Sequence, residues 1–332
     1  MTRKNITPLF SASPRTRSSR SKLFAWILLG MLSATVSIGS LSAQKGKAKG
    51  KGKGKGARTA TNVCTDYRME ASGTGPHGVV IETNCSPGIA KGTIYRPADL
   101  GGEEKYPILA WGEGGCSQNG LSNQAAMTEI ASHGYFVIAD GMPNGGGNIP
   151  MGSGDMTAMG APLIAYIDWA IAENGKSSSP YYQSLDAKKI STNGFSCGGL
   201  MAIGTVGDPR ITAWGVTSSG MARVNDDFYE LVHTPVLFVE GGENDIAYAG
   251  GTKGYETIST KLDVPVLWLS KDLGHGGDLF TPNGGDFTKI ILAWLNWQLK
   301  GDETATGKGL LVGKNCPYCS DSAWDVKSAH IP

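Results

Sequence analysis

From about residue 77 onward, apolar residues fall into short dense runs that alternate with longer runs spaced like helices. The short runs lie at 77–83, 92–95, 106–111, 135–139, 189–195, 211–216, 235–240 and 264–269. Dense apolar runs of this length, bounded by Gly, Pro and polar clusters, predict strands buried on both faces. Residues 121–132 and 161–173 repeat apolar positions at helical spacing. In the second, Leu163, Ile164, Ile167, Trp169 and Ile171 carry the pattern, and Pro162 is expected in the first turn, where a missing N–H does no harm. A last helix is predicted over 286–299, with Ile290, Ile291, Trp294 and Trp297 on one face. An antiparallel-looking start followed by repeated strand–helix–strand units predicts an α/β fold with a mostly parallel central sheet and helices on both faces. Chemistry in such a fold belongs at the carboxyl ends of the strands.

Charge divides the chain before that pattern begins. Residues 1–58 hold thirteen of the 30 basic residues and none of the 29 acidic ones, so a basic leader precedes an acidic body. Arg3, Lys4, Arg15, Arg17, Arg20 and Lys22 precede an apolar stretch, 23–38, and the small residues Ser40, Ser42 and Ala43 follow it. This reads as a signal peptide over 1–43 and predicts a secreted protein. The alternative is an N-terminal membrane anchor, since 23–43 is long enough to span a bilayer. Residues 44–60 alternate lysine with glycine or alanine and predict a disordered linker, either a plain spacer or an adhesive segment for acidic surfaces. Lacking interleaved aromatics and lying beyond an export signal, the tract argues against a nucleic-acid partner. Residues 61–332 then read as one domain.

The candidate chemistry sits on three predicted strand ends. Gly194-Phe195-Ser196-Cys197-Gly198 follows one strand and opens a small-residue helix. Glycines two before and two after a serine allow strand and helix to meet closely while the serine stays exposed. Asp245 lies in the Gly-Gly-Glu-Asn-Asp turn after the strand 235–240, with Glu243 as the alternative carboxylate. His275 lies between glycines after the strand 264–269, a placement with no helix or strand role, and is read as the base for Ser196. The loop after Trp111, Gly-Glu-Gly-Gly-Cys, offers backbone N–H groups for a developing oxyanion. Glu113 and Cys197 are the expected donors, provided the Glu113 carboxylate turns away; otherwise Gly114 takes its place.

Gly194-x-Ser196-x-Gly198, the turn bearing Asp245 and the turn bearing His275, in this order, resemble the α/β-hydrolase superfamily. Ala131-Ser132-His133-Gly134-Tyr135-Phe136-Val137-Ile138 and Trp294-Leu295-x-x-x-Leu299-Lys300-Gly301-Asp302 resemble its dienelactone-hydrolase-like group, which includes cutinase-like and poly(ethylene terephthalate) hydrolases. The resemblance covers about residues 90 to 302. It implies an α/β-hydrolase fold and a serine esterase acting through an acyl-enzyme on carboxylic esters, including bulky or polyester- and cutin-like ones. Cys197 and Glu113 stand where polyester hydrolases carry a large residue and an aromatic, which separates this chain from them on specificity.

Six cysteines beyond an export signal predict disulfides. Cys116 and Cys197 lie on the two segments of the expected oxyanion site and are read as bonded, with two buried free thiols as the alternative. A bond there closes a loop of about 80 residues, worth roughly 4 kcal/mol in the chain-entropy view. Cys64 and Cys85 flank the first strands and are expected to pair. Cys316 and Cys319 form a C-x-x-C without thioredoxin-like surroundings, hence a local structural bond. The link between the strands 211–216 and 235–240 is too short for a cap domain, so an open site is expected. Trp214, Met221 and Tyr229 are its candidate walls. No metal-ligand spacing, phosphate loop or dinucleotide fingerprint occurs, so no metal, cofactor or nucleotide is expected, and the protein is expected to be a monomer. Two alternatives to the esterase remain: a peptidase or amidase on the same scaffold, and a non-catalytic surface-binding protein.

Overall fold

The computed structural model describes residues 64–148, 155–222 and 224–332. The chain divides into two units, Met1–Ala60 and Thr61–Pro332, and the described residues belong to the second. The leader and the lysine–glycine tract lie outside them. Among the described residues no helix is long and apolar enough to cross a membrane.

The described residues form twelve strands, in chain order β1 (Arg68–Ser72), β2 (Gly78–Glu82), β3 (Gly92–Pro97), β4 (Tyr106–Gly112), β5 (Ser117–Gln118), β6 (Phe136–Asp140), β7 (Gly147–Asn148), β8 (Leu185–Phe195), β9 (Ala213–Thr217), β10 (Val236–Glu240), β11 (Val266–Lys271) and β12 (Trp324–Ala329). Ten of them make one sheet in the order β1-β2-β3-β6-β4-β8-β9-β10-β11-β12, and β5 and β7 form a separate two-stranded ribbon. The inner block from β6 to β11 is parallel, whereas β1, β2 and β3 on one side and β12 on the other run antiparallel. The protein is thus α/β, with a mixed sheet parallel at its centre.

Among the described residues eight α-helices accompany it: α1 (Gln124–Ser132), α2 (Met156–Gly175), α3 (Cys197–Ile203), α4 (Asp226–Tyr229), α5 (Tyr248–Lys261), α6 (Gly285–Lys300), α7 (Lys308–Leu311) and α8 (Pro317–Ser320). Side-chain alternation divides the core between the two faces of the sheet. Ile108 and Ala110, Phe136 and Ile138, Val236 and Phe238, and Val266 and Trp268 join the layer containing Leu163 and Ile167 of α2, Met201 of α3 and Ile258 of α5. Their neighbours Leu109, Trp111, Val137, Ala139, Leu237, Val239, Leu267 and Leu269 join Ile130 of α1 and Ile290, Trp294 and Leu295 of α6. Continuous apolar runs are what such double-sided burial requires.

Pro162 lies well inside α2, not in its first turn as expected. The helix starts earlier because the Asp155 side chain caps it by accepting the Ala158 N–H, and because Met156 and Met159 add buried surface. That additional turn outweighs the one backbone bond proline removes. Between β9 and β10 the described residues hold a single helix, the four-residue α4, so no helical cap covers the ends of these strands.

Candidate active site

Ser196 stands between β8 and α3 with φ 53° and ψ −116°, a backbone region hostile to side-chain-bearing residues. It is held there from several sides. Its N–H donates to the Thr217 carbonyl at 2.9 Å, and its own carbonyl accepts the Ser219 hydroxyl at 2.7 Å. Glycine is required on both flanks, because a Cβ at Gly194 or Gly198 would run into the Gly198 or Gly112 backbone. Strain held this firmly is typical of functional positions.

The next strand ends bring up the other two groups. Asp245 follows β10, and its side chain is fully buried. His275 follows β11, with its side chain 29% exposed. His275 Nδ1 lies 2.7 Å from Asp245 Oδ1, and Nε2 lies 2.9 Å from Ser196 Oγ. A carboxylate can only accept, so Nδ1 carries the proton and Nε2 is left to take one from the serine. Asp245 also accepts the N–H groups of Ala247 at 2.8 Å and Gly241 at 3.2 Å. Burial alone raises its pKa, but the Ser218 side chain facing it, the Ala247 N–H and His275 outweigh burial and hold it below the ordinary value. The histidine loop is tied to the aspartate loop by the Leu273 and Gly274 amides, which both donate to the Gly241 carbonyl. Glu243, the alternative carboxylate, lies on a separate surface groove with Asn244 and Asp272.

A cavity of about 590 Å³ opens beside Ser196 and His275. Its walls include Gly115, Cys116, Cys197, Leu200, Ser218, Ser219, Ala222, Ile246 and Ala247, and among the described residues His275 is the one titratable side chain that lines it. Of the expected walls, Trp214 and Met221 do not line it. Trp214 is fully buried near the start of β9, roughly 10 Å below the strand end where the site lies. Met221 is also fully buried, its side chain packed toward Gly254 of α5, while its neighbours Gly220 and Ala222 face the cavity. Tyr229 belongs to the core as well. Sequence reading missed Leu200, Ser218, Ser219 and Ile246; Ile246, next to Asp245 and 86% exposed, had the clearest signal, an isoleucine in an otherwise polar turn.

The two segments expected to face an oxyanion meet at the foot of the serine turn. Cys197 lines the cavity, and a Cβ on Gly198 would sit 2.6 Å from the Glu113 nitrogen, which places that amide beside the first turn of α3. The Glu113 side chain turns inward and is fully buried, and neither oxygen has a hydrogen-bond partner among the described residues. Burial pushes its carboxyl well above the ordinary range. Trp111 and Asn123, which face it without meeting hydrogen-bond geometry, offset part of this, and Asp140 adds to it. Burial thus favours its uncharged form. Glu240, fully buried at the end of β10, is likewise raised by burial and then by Asp245.

All six cysteines are paired: Cys64 with Cys85, Cys116 with Cys197, and Cys316 with Cys319, at Cα separations of 5.5, 5.1 and 5.2 Å. Among the described residues no cluster of His, Cys, Asp or Glu could hold a metal ion. No protein-family model and no curated protein sequence matches the chain.

Proposed function

We propose that the protein is a secreted serine hydrolase of the α/β-hydrolase superfamily that cleaves carboxylic esters. The observation that carries this reading is the unbroken relay from Ser196 Oγ to His275 Nε2 and from His275 Nδ1 to Asp245 Oδ1, at 2.9 and 2.7 Å. Its three members come from the carboxyl ends of β8, β10 and β11. Three disulfides fit an oxidising compartment, which supports export.

In the proposed reaction Ser196 Oγ attacks the ester carbonyl as His275 Nε2 takes its proton, and Asp245 stabilises the imidazolium. The negative charge on the former carbonyl oxygen falls to the backbone N–H groups of Cys197 and Glu113. His275 returns the proton to the departing alcohol, leaving an acyl-enzyme. Water then repeats the sequence, and the free acid leaves with Ser196 restored.

The substrate reading is a neutral ester with bulky apolar parts, polymeric ones included. Among the described residues the cavity walls carry no charged side chain apart from His275. Ile246, Leu273 and Phe280, which are 86%, 44% and 58% exposed, occupy the sequence positions flanking Asp245 and His275. Exposed apolar side chains on the loops that carry Asp245 and His275 suit a substrate offered at a surface.

The deciding test is covalent labelling with a fluorophosphonate followed by peptide mapping. Stoichiometric labelling of Ser196, absent from Ser196→Ala, is the expected result; no labelling of the native chain would overturn the reading.

A further inference from the structure

The Cys116–Cys197 bond stands apart from the other two disulfides in what it joins. Cys64–Cys85 lies by β1 and β2, at one end of the sheet, and Cys316–Cys319 closes a single helical turn at α8. Cys116 and Cys197 instead both line the cavity. One ends the short turn Gly114–Cys116 that follows β4, and the other is the residue after Ser196.

The turn needs an external hold. Gly115 and Cys116 are consecutive left-handed residues, with φ 66° and 52°, and the second is not a glycine. The surfaces by which the turn meets the serine elbow are nearly bare of side chains. Backbone at Gly112 lies on backbone at Gly198, and Gly114 lies on the Phe195 ring. Such contacts exclude volume but do not interlock. Glu113, the one long side chain at the start of the turn, makes no hydrogen bond among the described residues that would anchor it. Beyond the turn, among the described residues, the backbone is held by the two-residue ribbon of β5 with β7, a bridge from Asn119 to Met142 and the Tyr95 hydroxyl, which donates to the Gly120 carbonyl at 2.6 Å.

We propose that the Cys116–Cys197 cystine is a positioning element for the oxyanion site. It sets the separation of the two segments whose N–H groups receive the developing charge, and so acts on turnover more than on substrate binding. The proposal rests on the serine-hydrolase reading above. An oxyanion donor is effective only near hydrogen-bond distance of the tetrahedral oxygen, and a misplacement of about 1 Å can lower a rate about a hundredfold.

The test compares Cys116→Ala/Cys197→Ala with Cys64→Ala/Cys85→Ala and the native enzyme. Each is titrated to completion with a fluorophosphonate, so that kcat is expressed per functional Ser196. The expected result for the first pair is a fall in kcat of about tenfold to a hundredfold with KM changed less than about twofold, because only a transition-state interaction is lost. Affinity for an alkyl boronic acid, a tetrahedral analogue, should fall by a similar factor. The second pair should keep its kcat. A first pair with native kcat per titrated site and only a lowered Tm would overturn the proposal and leave the bond a purely structural staple. Should that variant not fold, native enzyme reduced with a trialkylphosphine, its free thiols located by alkylation, gives the same readout: unchanged turnover with Cys116 and Cys197 both reduced would also overturn it. Failure of the native chain to label at Ser196 would instead remove the hydrolase reading itself.

Discussion

The Gly276 amide donates to the Ser218 hydroxyl at 2.9 Å, joining the histidine loop to the end of β9. The same serine holds the Asp245 carboxyl below its ordinary pKa. Ser218 has φ 45°, so the backbone is strained at another point beside the site. One hydroxyl therefore steadies both the acid and the loop of the base.

Ser218→Ala should lower kcat/KM about tenfold, the loss of roughly one hydrogen bond's worth of orientation, with the fold retained. The pH dependence has a definite sign. A depressed carboxyl contributes stability above its ordinary pKa of 3.8 and loses it as pH falls through the lower folded value. Weakening that depression should move the midpoint of acid unfolding upward, as followed by circular dichroism. An unmoved midpoint would mean that Ser218 does not hold Asp245.

Ser196→Ala and His275→Ala should each remove at least about 10⁴-fold of kcat, and the double variant should lose little more, because the relay acts as a unit. Initial rates on p-nitrophenyl esters check this. Additive losses would argue against a shared mechanism.

Phe280 packs edge-to-face on Phe195, which in turn lies against His275, with ring centroids 5.5 and 5.1 Å apart. Because Phe280 is largely exposed, Phe280→Ser should leave hydrolysis of acetyl esters nearly unchanged. For long-chain esters it should raise KM about tenfold, the scale of one apolar contact surface. A chain-length series measures the difference, and an equal effect on every ester would point to disturbance of His275.

Glu113 and Glu240 carry the opposite sign from Asp245. A buried carboxyl with a raised pKa leaves stability intact below the ordinary value of 4.5 and erodes it as pH climbs toward the folded pKa. Thermal melts of Glu113→Gln across pH 5 to 9 should therefore show a Tm that falls less steeply with pH than the native one. Parallel curves would contradict a neutral Glu113.

The sequence was most legible where one interaction dominates. Uninterrupted apolar runs marked the central strands, since both faces of each are buried, and glycine-flanked Ser196 and His275 could serve little purpose in regular structure. The helix α5 escaped notice because Gly250, Gly251 and Gly254 dilute its apolar pattern. The structure accounts for them: a Cβ at Gly251 would collide with the Glu240 carboxyl, and one at Gly254 would press on the Phe238 ring at 2.9 Å. The strand β12 was missed because it is half-exposed and polar. Trp214 and Met221 were misplaced because whether a large apolar residue faces a cavity or the core depends on strand alternation and on α5, neither of which composition reveals.

The two outermost strands set how the molecule behaves in company. β1 exposes Arg68 and Glu70, and β12 exposes Asp325 and Lys327. Charges along both open edges discourage another sheet from adding on. On the proposed function, a protein with exposed Ile246 and Phe280 beside its site and charged sheet edges would gather on an oily surface without its copies joining edge to edge.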